Sequence, residues 1–566
     1  MDNQRLLVWA AFGLMAWFTY QTWMRDHAPV PVPPSTPVVG EAAGPAPTED
    51  LSLPALEEPP APAVEPDLGA PQLEVARTVG DVIHVTTDIL QLEINLQGGT
   101  MQLAVLGDYP IAKDRPDVLV DLLNPEPNRL GLIQTGLRVV GGGPEANHLA
   151  QFTAPSSAFA LDGADELIVP LIWTDEQGVT VEKQIRLSRG SYRIDIRQTV
   201  VNDSDNDWRG AAYAQIQRRS FPRERSMFNV DSYSFDGPVI YDGEKSEKLK
   251  RDELLDDGPY TVAAVNGWIA TIQHHFLSAI VPQADRDYRY SIAVNGNVAV
   301  SSAIGPTQTV RAGTEQLFET TVFIGPKLQS QLEEVTPTLK LTVDYGWLTI
   351  LSQPLFWLLS KVYGVVGNWG WAIILVTVLI KMLFYKLTEK SGRSMAKMRE
   401  IQPRMKAMQD RYKDDRQALG QAMMELYKRE KVNPAAGCLP ILIQMPFFLA
   451  FYWVLLESVE MRQAPFALWI MDLSSRDPFF ILPLIMGAAM FFQQKLNPAP
   501  ADPVQAKVMQ VMPVVFTGFF AFFPAGLVLY WVTNTVLSIA QQWYINKIVH
   551  EEAQARKGSK KDKKTP

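Results

Sequence analysis

The chain has 566 residues, too many for one hydrophobic core, so several domains are expected. Its 52 Lys and Arg against 61 Asp and Glu give a net charge of -9, which argues against a nucleic-acid binder. One cysteine, Cys438, excludes an intrachain disulfide and a Cys-based metal centre, the six histidines lack ligand spacing, and no phosphate-binding glycine loop is present. Neither cofactor nor metal is therefore expected, nor any catalytic residue.

Residues 1–27 hold the first apolar stretch, Leu6–Trp23, long enough for a membrane helix. Only Arg5 provides a basic flank and no small-residue cleavage site follows, so it reads as an uncleaved anchor, a cleaved signal peptide being the alternative. Residues 28–79 form a Pro/Ala-rich linker with no Lys or Arg before Arg77. Such a segment buries too little apolar surface to order itself and should be extended and disordered.

The texture changes over residues 80–325. "DVIHVTTDILQLEINLQGG" alternates and ends in Gly-Gly, and "VTVEKQIRLSRGSYRIDIRQTVVNDSD" reads as two strands around Arg189-Gly190. "YSIAVNGNVAV" carries a hairpin signal, and "TEQLFETTVFIGP" closes the region. This predicts a β-sandwich larger than a seven-stranded module. His274 and His275 are adjacent on a predicted strand and should face opposite ways.

In the connecting segment 326–367, Trp347, Leu351, Leu355, Leu358 and Leu359 recur at helical spacing beside Ser352, Gln353, Pro354, Ser360 and Lys361. They predict an amphipathic helix along a membrane interface. Next come a second span at 368–388 and four more within 435–545, at about 437–457, 479–496, 508–523 and 525–545. The loop 389–434, the Lys495–Lys507 loop and the tail 546–566 are basic and belong in the cytoplasm. Six spans follow, with both termini inside and the β-domain outside, in the periplasm of a bacterial inner membrane.

In the cytoplasmic loop, Met395, Met398, Ile401, Met405, Met408 and Tyr412 fall at steps of three and four, and Leu419, Met423 and Leu426 follow "KDDR". The pattern predicts a helical hairpin with a Met-rich seam, its first arm kinked at Pro403. It is either a solvated pair closed on itself or a face that accepts varied apolar partners.

Polar residues inside the spans are the chemical signal. Lys381 shares a helix face with Thr377, and Tyr530, Asn534, Ser538 and Gln541 or Gln542 make a stripe beside Trp531 and Thr535. Gln444, Thr517, Gln493 and Gln494 lie in other spans. An ammonium at bilayer depth costs roughly 2.5–3.5 kcal/mol on insertion scales. Lys381 could snorkel, since Lys386 is about 7–8 Å further along the helix. A water-holding cavity open to the cytoplasm would satisfy the whole set together.

The runs "VDYGWLTILSQPLFWLL", "GNWGWAIILVTVLIK", "QPRMKAMQDRYKDD", "KVNPAAGCLPILIQMPFFLAFYWVLLESVEMRQAPFALWIMDLSSRDPFFILPLIMGAAMFFQQKL" and "FPAGLVLYWVTNTVLSIAQQ" resemble the YidC/Oxa/Alb family of membrane protein insertases. The resemblance covers the whole chain and is strongest from Asp344 to Gln542. It implies a multi-domain membrane protein: an all-α polytopic bundle of six transmembrane helices, five in the core, plus a large periplasmic β-sandwich of the mutarotase-like supersandwich type. It further implies a hydrophilic groove, open to the cytoplasm and to lipid, that takes in the polar tail of a nascent membrane protein. The groove cation falls on Lys381, the groove threonine on Thr377 and the substrate-contacting pair on Tyr530 and Trp531. Gln444, Asn534 and Ser538 join them, and Met395, Met398, Met405 and Met408 lie in the hairpin that first captures substrates. Two positions depart from the commoner form, Lys381 where Arg is often found and Trp531 where Tyr is often found; lysine keeps the charge without the bidentate fork. Implied partners are nascent membrane proteins, the SecYEG and SecDF translocon components, the ribosome through the basic tail, and the phospholipid bilayer. Two other functions remain open from residues alone. A small-solute transporter would need inverted repeats, and none is visible; a membrane-anchored carbohydrate enzyme would place its chemistry in the β-domain.

Overall fold

The computed structural model describes residues 82–562, apart from 114, 220–233, 413–414, 431, 433–438 and 497–502. The expected anchor and linker lie outside the described residues.

The β-domain consists of two sheets packed face to face. The larger runs in the order Tyr260–Val265, Asp287–Asn295, Val298–Ile304, Trp208–Arg219, Gly131–Val139, Thr100–Ala112, Leu90–Asn95, Val82–Thr86 and Ala158–Ala160, with Gln308–Val310 and Arg115–Leu123 paired to its side. The smaller runs Ser246–Lys248, Asp236–Tyr241, Trp268–Gln273, Phe276–Pro282, Thr314–Pro326, Arg193–Asn202, Val179–Ser188 and Glu166–Thr174. Strict alternation drives the pairing. In Val179–Ser188 and Arg193–Asn202 every second residue is buried, with Ile185 opposite Ile196. A one-residue slip would turn that whole apolar set outward.

A buried amine joins the sheets. The Lys183 amine, on the smaller sheet, donates to Gly98 O at 2.7 Å and Thr135 O at 2.8 Å on the larger-sheet side. Burial pulls its pKa down to about 7.

Two short helices, α1 (Arg251–Asp256) and α2 (Gln329–Val335), decorate the β-domain. Eight more follow: α3 (Thr349–Val366), α4 (Trp369–Leu383), α5 (Tyr385–Arg411), α6 (Arg416–Arg429), α7 (Leu439–Glu457), α8 (Ile481–Leu496), α9 (Pro503–Phe520) and α10 (Ala525–Asp562). Gly367, at φ +64°, caps α3 in the left-handed conformation, and Asn368 accepts from Trp371 N to start α4.

Several expectations change here. Among the described residues no single helix is long and apolar enough to cross a membrane. Only the bent pair α4 and α5 passes together by length and composition, and Ile443–Glu457, Ile481–Leu496 and Lys507–Phe520 are shorter apolar helices. In α10 the reason is visible, because Thr533, Asn534, Thr535, Ser538, Gln541 and Gln542 dilute its apolar run. The sharp bend of 69° lies at Phe384, between α4 and α5, while α5 continues through Pro403. No Pro or Gly marks the bend; Phe384 instead packs edge-on against Phe447, ring centroids 5.3 Å apart. The tail does not begin at 546 as a separate element, since α10 continues unbroken to Asp562. On α3, Ser352 is buried with Leu355, Phe356 and Leu359, whereas Ile350, Trp357 and Val365 are exposed. The buried face thus carries a polar residue, satisfied by Ala450 O on α7 at 3.4 Å, and the outward face is apolar.

The β-domain sits on the loop between α7 and α8. His274 and His275 do not alternate on a strand. They form the turn between Trp268–Gln273 and Phe276–Pro282, with His274 at φ +41°. Their rings stack 3.7 Å apart and both Nε2 atoms lie at hydrogen-bond distance from Leu456 O, at 3.0 and 2.9 Å. A carbonyl in the last turn of a helix lacks an intrahelical donor, and the imidazoles supply it. Nearby, Tyr345 OH meets Ser458 Oγ at 3.3 Å and Lys327 Nζ lies 4.0 Å from Glu457. The tip of the hairpin between Thr100–Ala112 and Arg115–Leu123 holds the same loop: Arg462 donates to Pro110 O and Ile111 O, and Lys113 to Met471 O.

Candidate functional site

α4, the start of α5, α7 and α10 surround a partly open pocket. It is lined by Thr377, Ile380, Lys381, Phe384, Leu387, Thr388, Ile443, Gln444, Phe447, Tyr530 and Asn534. Lys381 stands in the last turn of α4, where its charge complements the helix dipole. Its side chain does not run along α4 towards Lys386. It crosses to α10, where Nζ donates to Ser538 Oγ at 2.7 Å, and Ser538 Oγ in turn donates to Asn534 O at 2.7 Å. The serine thereby presents only lone pairs to the ammonium. Among the described residues no carboxylate lines the pocket. An ammonium with one neutral acceptor keeps two N–H groups for an incoming acceptor or water.

Thr377, Gln444 and Tyr530 are satisfied within the wall. Thr377 Oγ1 donates to Ile373 O at 2.7 Å, and the Gln444 side chain hydrogen-bonds Tyr530. Tyr530 stacks on Phe451 at 4.4 Å, which fixes its ring. Lys381, Thr377, Gln444, Tyr530 and Asn534 are thus brought to one cavity, with Ser538 behind the cation.

Trp531 is not in the lining. One residue on from Tyr530, it turns about 100° around the helix and packs edge-on against Phe448 at 4.8 Å and on Phe520 at 5.4 Å. Its buried indole N–H has no hydrogen-bond partner among the described residues. Thr517 donates to Pro513 O, away from the pocket, where its hydroxyl fills the space a side chain at Gly487 would need.

Thr388 and Phe384 complete the cavity, and the sequence carried a signal for them. Thr377, Lys381, Phe384 and Thr388 follow one another at steps of four, three and four, a single face continued across the bend.

Below the pocket, the hairpin arms α5 and α6 close on a seam of Ile401, Met405, Met423, Leu426 and Val432, with Met398 and Met408 packed partly buried against it. Met395 is half-buried outside that seam. Ala396 packs with Ile545 and Val549 of α10, and Arg393 bridges Glu389 at 2.9 Å and Glu552 at 3.0 Å. The hairpin is closed on itself and braced against the extension of α10.

The family described as 60Kd inner membrane protein matches residues 361–553, and the YidC periplasmic domain matches residues 82–358. A protein of Nitrosococcus oceani with the name membrane protein insertase YidC is 44% identical over 555 residues, which is 98% of this chain and 100% of the relative. Its namesakes from Thioalkalivibrio sulfidiphilus and Alkalilimnicola ehrlichii are each 46% identical, over 97% and 100% of this chain and 99% of either relative. Among solved structures, a YidC insertase with its first transmembrane domain resolved covers 82% of this chain and 93% of its own, at a TM-score of 0.39 and 19% identity.

Proposed function

The chain belongs to the YidC family of membrane protein insertases of the inner membrane, and from that premise we propose that its pocket is the groove through which a substrate's polar tail enters the bilayer. The protein is an insertase and not an enzyme, it acts on membrane proteins in the lipid bilayer, and it carries a periplasmic domain.

The observation that carries the groove reading is Lys381 Nζ, turned into a partly open pocket and held by Ser538, with no carboxylate among the described lining residues. A substrate helix gains on the order of 25 cal/mol per Å² of apolar surface buried. The obstacle is its flanking polar tail. A wet pocket shortens the hydrocarbon the tail must cross, and Lys381 attracts acidic residues into it. The membrane potential, negative inside, then favours moving each anion outward by about 2.3 kcal/mol per 100 mV. No nucleotide or ion-coupling site is needed for that sequence of events.

In this reading α4, α7, α8, α9 and α10 are the five core spans, with a sixth in the N-terminal apolar run and both termini cytoplasmic. Lys495 and Lys507 flank a cytoplasmic loop by the positive-inside rule. Substrates first meet the hairpin at Met395, Met398, Met405 and Met408; Met405 is buried in the seam, so the arms must part to expose it. The basic tail contacts the ribosome, and SecYEG and SecDF components are partners for substrates that need them. Photo-crosslinking during synthesis of a short membrane protein tests the groove: a reactive residue at Thr388 or Phe447 captures the substrate's polar tail, and one at outward-facing Ile350 does not. Equal capture from all three would overturn the reading.

A further inference from the structure

The loop between α7 and α8 has an odd composition. From Gln463 to Met471 it reads "QAPFALWIM", nine residues without a charge, bounded by Arg462 and Asp472. Soluble loops of that kind bury their apolar side chains. This one buries Ala464 and Ile470 but turns others out: Leu468 is 84% exposed and Met471 51%.

The exposure is built in. Phe466 N donates to Ile470 O and Ile470 N to Ala467 O, which closes a tight turn with Leu468 at its tip. Leu468 sits at φ +56°, a left-handed conformation that a leucine side chain disfavours. Asp472 is folded inward, accepting from Gln463 N, Ser474 N and Ser474 Oγ, and Asp477 accepts from Trp469 Nε1 and caps the start of α8. The carboxylates are thus taken off the tip and the apolar side chains are pushed onto it. Asn368, at the start of α4, donates to Pro465 O and Phe466 O, so the turn is fastened to a helix end. Phe479, Leu484 and Ile485, on α8 and just before it, are exposed as well, and the half-exposed ring of Trp371 on α4 meets Phe466 edge-on at 5.6 Å.

We propose that the 463–471 turn is a hook inserted in the outer leaflet of the bilayer, with Leu468 and Met471 among the acyl chains near the headgroups. Its occupant is lipid because the uncharged turn adjoins, through Phe466 and Trp371, a helix that also exposes Leu375 and Leu379, and because that indole stands at its edge, as aromatic residues gather at membrane interfaces. The hook reaches the β-domain directly. Arg462 and Gln463 hold Pro110 O and Arg462 also holds Ile111 O, while Lys113 donates to Met471 O. Ile111 is itself 42% exposed. The hook therefore sets the height and tilt of the β-domain above the membrane surface.

The inference rests on the orientation proposed above, which is read separately: a membrane-impermeant thiol reagent reaches a cysteine at exposed Glu176 in spheroplasts if the β-domain is periplasmic. For the hook, Leu468→Cys, Met471→Cys and Glu176→Cys are made one at a time in a Cys438→Ser chain. Each is labelled with an environment-sensitive fluorophore and reconstituted in phosphatidylethanolamine–phosphatidylglycerol vesicles. At 468 and 471, spin labels near the lipid headgroup should quench emission more than labels at the chain end, and iodide should quench several-fold less than at 176. Iodide quenching equal to that at 176 would place the tip in water and overturn the proposal. Shielding from both quenchers would mean a protein covers the tip, and stronger quenching from the chain end would mean a deep re-entrant segment; either result overturns it as well.

Discussion

Replacing Lys381 by methionine removes the charge and nearly conserves the shape. A substrate carboxylate about 4 Å from Nζ is attracted by about 4 kcal/mol at an effective dielectric near 20. Lys381 is half-buried in a pocket that opens outward, so solvent and salt screen roughly half of that. About 2 kcal/mol remains, or close to 30-fold. Ser538 adds nothing for a neutral side chain, since its hydroxyl hydrogen is already given to Asn534 O. Lys381→Met should therefore slow insertion of a single-span substrate with a two-carboxylate tail by about 30-fold or more in proteoliposomes read by protease protection. The same substrate with its carboxylates changed to amides should lose most of that difference, and Lys381→Arg should insert like the parent. If Lys381→Met inserts the acidic substrate within about twofold of the parent, well under the 1.4 kcal/mol of a tenfold change, the charge role is refuted.

Other outcomes follow from the same geometry. Deleting residues 80–320 removes the stacked histidines but keeps the Lys327–Glu457 pair, and most insertion activity should survive in the same assay; complete loss in a folded protein would show the β-domain to be essential. The Lys183 amine has a folded pKa near 7 against an ordinary value of 10.5, so the fold favours its neutral form; that contribution is full above 10.5 and is lost as pH falls through about 7. Thermal unfolding of the β-domain should accordingly shift to lower temperature from pH 9 to pH 6.5, and Lys183→Met should flatten the dependence while leaving Gly98 O and Thr135 O unpaired at about 1–3 kcal/mol each. A Cβ on Gly392 would stand 2.9 Å from Ile545 Cδ1, so Gly392→Val should part α5 from α10 at a cost of about 1–3 kcal/mol. Slower disulfide formation between cysteines placed at 396 and 549 would register that separation.

Period and polarity along the chain encode part of this architecture directly. Alternation in "VTVEKQIRLS" and "RIDIRQTVVN" specified strands because a two-residue period leaves one choice of buried face, and each runs as a strand. The steps of four from Thr377 to Lys381 and from Tyr530 to Asn534 and Ser538 placed polar groups on common helix faces, because 3.6 residues per turn allows little else. Tertiary structure decided which of those faces meet. Whether Lys381 reaches lipid phosphates or Ser538 depends on a helix 157 residues away. Trp531 leaves the pocket because Phe448 and Phe520 are there to receive it. The bend at Phe384 has no local mark; what accompanies it is an edge-on contact with Phe447, a residue of another helix. The histidine turn was read as strand because a six-residue window contains no trace of Leu456 O, the acceptor that draws both rings to one side. Local patterns fix what each segment can bury; only the assembled chain supplies the partner against which it is buried.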